Sequence, residues 1–164
     1  MTAAIMLLTF VTIERLAELW LARRNTVELI SRGAVEVGAR HYPLDVILHA
    51  AWLASLWILA WNRAVSAPWL IVFVMLQAGR LWVLATLKTR WTTRIIVLPS
   101  APLVAGGPYR WLSHPNYAVV IGEIAVLPMV FGLGGFAFAF SLANAAVLFI
   151  RIKAENAALH RPLA

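Results

Sequence analysis

Long apolar runs constrain this chain more than any other feature of its sequence. Three runs reach or approach the ~20 residues that a helix needs to cross the hydrocarbon core of a bilayer: Thr2 to Ala22, Leu44 to Asn62 and Ala67 to Leu87. A fourth block, Tyr117 to Ile150, is too long for one span. Because 62% of the residues are hydrophobic and only 13% are charged, a water-soluble globule would lack polar surface. The chain is therefore predicted to be an integral membrane protein.

The fourth block divides at a segment that contains proline and glycine, Leu127 to Gly135. We expect two short helices of roughly 15 residues, joined at Gly132 to Gly135. The prediction is an all-α membrane protein of five transmembrane helices, in which the last two form a hairpin and residues 1–164 form one domain. The first run lacks a basic leader and holds Glu14, so it is read as a retained helix rather than a signal peptide.

The formal net charge of +7 first suggests a nucleic acid partner, but the positions of the cations indicate a membrane topology instead. Eleven of the fourteen Lys and Arg residues fall on alternate connections: Arg23, Arg24, Arg32 and Arg40, then Lys88, Arg90, Arg94 and Arg110, then Arg151, Lys153 and Arg161. Cytoplasmic loops carry such an excess of cations. The sequence predicts a multi-pass membrane protein with its N-terminus outside, its C-terminus in the cytoplasm, membrane lipids around it and no nucleic acid partner.

Metal and thiol chemistry find no support in the sequence. The chain has no cysteine, which excludes thiolate ligands and catalysis through sulfur. Its four histidines show neither HxxxH nor HExxH spacing. No metal site is expected.

Several ionisable residues lie within the apolar runs. Glu14 and Glu18 are one helical turn apart and so share a face, and such residues inside a membrane are functional candidates by default. The alternative is an intramembrane ion pair with Arg80. His49 in the second run and Glu123 in the fourth are likewise either contacts for a substrate or hydrogen-bonded structural residues.

Two polar segments border the apolar blocks. Prolines prevent a continuous helix in the loop from Lys88 to Asn116, and GPYRWLSHPNY brings Tyr109 and His114 to intervals that could surround one polar ligand. In the tail RIKAENAAL, Arg151 and Glu155 lie one turn apart on a continuation of the fifth helix. An exposed ion pair is the simpler reading of that spacing.

Taken together, APLVAGGPYRWLSHPNY and RIKAE resemble the isoprenylcysteine carboxyl methyltransferase family. The segments ERLAELWLARRN, RGAVEVGARHYP and RWTTRIIVLP look more particularly like its bacterial branch associated with type III polyketide synthases. Members of that branch methylate alkylpyrones or alkylresorcinols. The resemblance also implies a location in the bacterial inner (plasma) membrane.

The resemblance implies a cytoplasmic cofactor-binding loop and a C-terminal helix extension that together bind S-adenosylmethionine. Matching positions place Arg94, Leu103, Val104, Tyr109, His114, Pro115, Asn116 and Tyr117 in the cofactor pocket. They also imply that Glu155 holds the cofactor and that Arg151 faces the acceptor as the catalytic residue. The family commonly has two adjacent acids in the tail, whereas here Asn156 follows Glu155.

The resulting hypothesis is O-methylation of a lipophilic acceptor that enters from the bilayer, with a polyketide synthase as a pathway neighbour. No GxGxxG motif is present, so a soluble Rossmann methyltransferase is not expected. Three alternatives stay open at this point. They are carboxyl methylation of a prenylated cysteine or another lipid, an NADPH-dependent membrane reductase, and a small transporter with a relay of Glu14, Glu18 and Glu123.

Overall fold

Five helices dominate a computed structural model of the chain, which describes residues 2–99 and 101–160. They are α1 (Thr2–Ser31), α2 (Tyr42–Ala60), α3 (Ala67–Leu87), α4 (Pro115–Val130) and α5 (Gly134–His160). Short 3-10 turns follow α3 at Lys88–Arg90 and precede α4 at Gly107–Arg110. The predominantly helical membrane architecture predicted from the apolar runs is confirmed.

Three helical segments are long and apolar enough by themselves to cross a membrane: Tyr42–Ala60, Ala67–Arg90 and Gly134–Ala158. Helix α4 is equally apolar but has only 16 residues. Helix α1 has 30 residues and carries charged side chains in its middle. The protein is a multi-pass membrane protein, and the count of five crossings stays a prediction for α1 and α4.

Helix α1 continues nine residues beyond the predicted end of its apolar run, so that Asn25 lies within the helix. The Asn25 side chain is buried, and its amide nitrogen donates to the carbonyls of Lys88 (3.2 Å) and Trp91 (2.8 Å). Lys88 has a positive φ of 52°, an uncommon conformation for a residue with a side chain. Asn25 therefore links α1 by two hydrogen bonds to the strained turn that follows α3.

The loops after α1 and α3 pair with each other, which an all-α prediction does not include. Strands β1 (Val35–Val37) and β2 (Ile95–Val97) form an antiparallel pair in which Glu36 lies opposite Ile96. Three-residue strands are too short for an alternating pattern to identify them. The pairing joins the N-terminal third of the chain to the loop before α4.

The predicted hairpin of the last two helices is present. Helix α4 ends at Val130, Gly132 supplies a positive φ of 70°, and α5 begins at Gly134. Helix α5 is 27 residues long because its apolar part and the RIKAE tail form one continuous helix. Arg161, one of the cations used for the topology, lies outside the described residues.

Two apolar clusters fill the bundle, one toward each end. The larger includes Leu8 of α1, Leu56 of α2, Phe73 of α3 and Leu127 of α4. The smaller surrounds Trp91, near the 3-10 turn after α3. Between them along the helices lies a charged layer, formed by Glu14, Arg15, Glu18, Gln77, Arg80 and Glu123.

Candidate functional site

A cavity of about 1170 Å³ opens where the ends of α1, α3 and α5 meet the start of α4. One wall is apolar and comes mainly from β2 and the loop after it, including Ile96, Leu98, Leu103 and Val104. The other wall is polar and includes Tyr109, His114, Asn116, Tyr117, Arg151 and Glu155. Pockets for small molecules usually measure ~300–1,000 Å³, so this cavity has room for a cofactor together with part of a second molecule.

The polar wall is organised around the hydroxyl group of Tyr117 in the first turn of α4. This hydroxyl donates to Oε2 of Glu155 at 2.5 Å and accepts from Nε of Arg151 at 2.9 Å. Arginine has no acceptor atom, so the direction of the second bond is fixed, and the single phenol proton must go to Glu155. Tyr117 therefore joins two residues that lie one turn apart on α5.

His114 packs against the same tyrosine. Its ring lies 5.3 Å from the Tyr117 ring, centroid to centroid, at an angle of 21°. Its Nδ1 atom lies 3.7 Å from Oε2 of Glu155. The site thus presents two aromatic faces beside a carboxylate, which suits a ligand that carries both a ring and positive charge.

The guanidinium of Arg151 has further partners. Its Nη1 donates to Asp45 Oδ2 at 2.8 Å, and its Nη2 donates to the carbonyl of Thr93 at 2.5 Å. Within the described residues, Arg151 and Glu155 form no direct ion pair. The exposed ion pair that their spacing would allow is therefore replaced by a partly buried network that spans α2, α4, α5 and the loop before β2.

Asp45 was not recognised from the sequence. It is the only aspartate of the chain, in the first turn of α2, and it bonds to Arg151 from an element distant in sequence. The sequence did contain one signal for Asp45. It is a carboxylate near the end of an apolar helix, with no Lys or Arg three or four residues away on that helix. The pairing itself depends on the tertiary contact between α2 and α5.

The C-terminal part of the chain, which supplies most of this site, matches a known protein family. The family model described as "Isoprenylcysteine carboxyl methyltransferase (ICMT) family" matches residues 69–161, more than half of the chain. The chain belongs to the isoprenylcysteine carboxyl methyltransferase family. This family consists of membrane methyltransferases that use S-adenosylmethionine as the methyl donor.

Two curated relatives extend the similarity to most of the chain. The uncharacterized protein YpbQ of Bacillus subtilis (strain 168) is 38% identical over 159 residues, which cover 94% of this chain and 95% of that protein. An uncharacterized protein of Haemophilus influenzae is 27% identical over 157 residues, 88% of each chain. Neither name states a substrate, and no solved structure matches.

Most of the cofactor residues that the resemblance to this family implied line this cavity. They are Arg94, Leu103, Val104, Tyr109, His114, Asn116, Tyr117 and Glu155. Pro115 does not line the cavity but is buried at the first position of α4. Proline is favoured at that position because its missing N–H has no helical partner to lose.

Arg94 has contacts of its own at the edge of the cavity. Its Nη1 lies 2.9 Å from both carboxylate oxygens of Glu36 on β1, and its guanidinium lies 4.6 Å from the centre of the Tyr42 ring. The Tyr42 hydroxyl in turn bonds to Thr93 Oγ1 at 3.1 Å. Arg94 thus links β1 and the start of α2 to the loop before β2.

Tyr109 reaches the cavity from the 3-10 turn that begins at Gly107. Burial raises the pKa of Tyr109 to about 12, and the negative charge of Glu155 adds to the rise. The phenol therefore stays protonated at neutral pH, where it can donate a hydrogen bond to a ligand.

The four acidic and histidine candidates inside the spans do not line the cavity. Glu14, Glu18 and Glu123 belong to the charged layer, where the ion pair with Arg80 that the sequence allowed is present: Arg80 contacts Glu18 (3.4 Å) and Glu123. His49 bonds through Nδ1 to the carbonyl of Asp45 at 2.8 Å, one turn earlier in α2. The structural alternative describes these contacts better than a role at the acceptor.

Across residues 2–99 and 101–160, no group of three or more His, Asp and Glu side chains is arranged to hold a metal ion.

Proposed function

We propose that this family member transfers the methyl group of S-adenosylmethionine to an oxygen of a lipophilic acceptor, a hydroxyl of a polyketide alkylpyrone or alkylresorcinol. One observation carries the proposal: a cavity at the cation-bearing end of the bundle combines a polar wall around Tyr117 with an apolar wall from β2 to Val104. The polar wall suits the cofactor, and the apolar wall suits an alkyl chain.

The residues present fit S-adenosylmethionine. Oε2 of Glu155 is engaged by Tyr117, whereas Oε1 makes no hydrogen bond within the described residues, so it is available to a ribose hydroxyl. Glu155 as a single acid can accept both hydroxyls of the diol, as carboxylates do in other nucleotide sites. The stacked rings of His114 and Tyr117 offer faces to the sulfonium or the adenine.

When bound, the cofactor supplies an activated methyl group on its sulfonium. The task of the chain is then mainly to hold donor and acceptor in line, which can supply a large part of the acceleration. Arg151 keeps two of its five N–H groups free of the partners described above, one on Nη1 and one on Nη2. In this proposal, these two groups bond to the acceptor oxygen and favour its anionic form, as a phenol with a pKa of ~10 requires at neutral pH.

The acceptor class is tested by supplying candidates side by side. The purified protein in nanodiscs receives methyl-labelled S-adenosylmethionine with an alkylresorcinol, an alkylpyrone or a prenylated cysteine. We expect label in the first two and a mass increase of one methyl group on oxygen. Label only in the prenylated cysteine would assign carboxyl methylation and overturn the polyketide acceptor.

The cofactor is tested separately. S-adenosylhomocysteine should raise the melting temperature of the protein, because a ligand that binds only the folded state stabilises it. NADPH at the same concentration is the control. Stabilisation by NADPH alone would favour a reductase, and proton flux in proteoliposomes without any response to S-adenosylhomocysteine would favour a transporter.

A further inference from the structure

The side-chain amide of Asn116, the second residue of α4, accepts hydrogen bonds from two donors. Its Oδ1 accepts from Nη1 of Arg80 at 3.2 Å and from Nε1 of Trp91 at 3.4 Å. Neither a guanidinium nor an indole can accept a hydrogen bond. The atom that faces them must therefore be the amide oxygen. Because both partners can only donate, they fix the orientation of the amide group.

The other end of this amide faces the cavity. Asn116 is half-buried and lines the cavity beside Tyr117, and Nδ2 makes no hydrogen bond within the described residues. An amide oxygen has two lone pairs, and both are used by Arg80 and Trp91. Asn116 can thus offer a ligand only N–H donors.

The position of Arg80 is itself determined by the charged layer. Its side chain is 3% exposed, and Nε and Nη2 contact the carboxylate of Glu123 while Glu18 lies 3.4 Å from Nε. These carboxylates come from α4 and α1, so the planar guanidinium is oriented by both helices. Only Nη1 is left to reach Asn116.

We propose that Arg80, assisted by Trp91, is a positioning residue for cofactor binding, which orients Asn116 so that its N–H groups donate to an oxygen or nitrogen acceptor of the bound cofactor. The inference rests on the proposed function and adds a role for an arginine inside the membrane. Charge balance for Glu18 and Glu123 would explain why a cation lies there. It does not explain why the same guanidinium bonds to a residue of the cavity wall.

Arg15 provides the matched control. It lies in the same charged layer and contacts Glu14, Glu18 and Glu123, but it does not contact Asn116. A role limited to charge balance predicts that Arg80→Lys and Arg15→Lys act alike. A positioning role predicts that only Arg80→Lys changes cofactor affinity, since an ammonium group cannot bridge the carboxylates and the amide at once.

The decisive substitution is Asn116→Asp, measured by calorimetry of S-adenosylhomocysteine binding to the full chain in nanodiscs. A carboxylate still accepts from Arg80 and Trp91 but has no N–H to donate, so affinity should fall about tenfold or more while the melting temperature is kept. Arg80→Lys should cost a few-fold, with no further loss in an Asn116→Ala background. Arg15→Lys should leave the affinity within about twofold of wild type.

The outcomes separate the two proposals. If wild type does not bind S-adenosylhomocysteine, the proposed function fails and this inference fails with it. If wild type binds but Asn116→Asp binds equally well, only the positioning role is overturned. Should Arg80→Lys fail to fold, Trp91→Phe removes the other donor without a change of charge, and unchanged affinity in that variant would also contradict the proposal.

Discussion

At the scale of single residues, the hydroxyl of Tyr117 connects the two groups proposed for donor and acceptor. It accepts from Arg151 and donates to Glu155, which a phenylalanine could not do. Both side chains therefore share one oxygen atom as a hydrogen-bond partner. Under the proposed function, this shared oxygen would couple cofactor binding to placement of the acceptor.

Tyr117→Phe should weaken S-adenosylhomocysteine binding by about 1–2 kcal/mol, because Glu155 loses a charge-assisted hydrogen bond that orients it. The same variant should lower kcat, since Arg151 is released at Nε. Isothermal calorimetry and steady-state kinetics would measure the two effects. Tyr42→Phe, which removes a hydroxyl bonded to Thr93, is the control, and equal effects from both variants would contradict the coupling.

Asp45→Asn should reduce kcat about tenfold while the KM for S-adenosylmethionine changes little, because it weakens the charge-assisted bond that orients Arg151 but leaves Glu155 and Tyr117 intact. Glu36→Gln is matched to it, since Glu36 holds a different arginine, Arg94, at the same end of the bundle. If Glu36→Gln lowers kcat as much as Asp45→Asn does, the loss of any carboxylate at this end of the bundle has the same effect. That outcome would contradict a specific role of Asp45 in orienting Arg151.

At the scale of elements, the 3-10 turn before α4 depends on one glycine. Gly107 has a φ of +56°, and a Cβ added there would lie 2.3 Å from Oγ1 of Thr86 on α3. Gly106 has a φ of −91° and open space around it. Close approach of the turn to α3, rather than flexibility, is the reason for the glycine at 107.

Gly107→Ala should therefore lower the free energy of unfolding by about 1–3 kcal/mol, through strain at a positive φ and the clash with Thr86. It should also weaken S-adenosylhomocysteine binding, because the turn carries Tyr109 into the cavity. Thermal melting and calorimetry test both effects. Gly106→Ala should be nearly neutral, and the explanation fails if the two variants behave alike.

The elements also differ in how far sequence alone could predict them. Apolar length identified the helices, and the glycines at 132 to 135 identified the hairpin, because both are local signals. The strands β1 and β2 were missed since three residues carry no period, and Asp45 was missed since its partner lies 106 positions away. The ion pair with Arg80 could be anticipated because a charge inside an apolar helix needs a partner.

At the scale of the whole molecule, we propose that the cavity faces the cytoplasm. The cavity lies where α1, α3 and α5 end, and these ends carry most of the cations of the chain. Positively charged loops remain on the cytoplasmic side. A water-soluble cofactor made in the cytoplasm would then reach the cavity without crossing the membrane.

This topology can be measured by single cysteines, since the chain has none. A cysteine at Ala105, in the exposed loop before α4, should resist an impermeant thiol reagent in intact cells and react after the cells are opened. A cysteine at Asn62, in the connection between α2 and α3, should react in intact cells. The opposite pattern would reverse the orientation.

The bond between Asp45 and Arg151 limits how far the protein can be shortened from its N-terminus. The region that matches the family begins at residue 69, yet it obtains a carboxylate from α2 and a pairing strand from β1. A recombinant fragment that starts at the family boundary would leave Arg151 without its counter-ion and β2 without its neighbour. Any chimaera that exchanges acceptor specificity between relatives should therefore transfer residues 35–45 together with the C-terminal half.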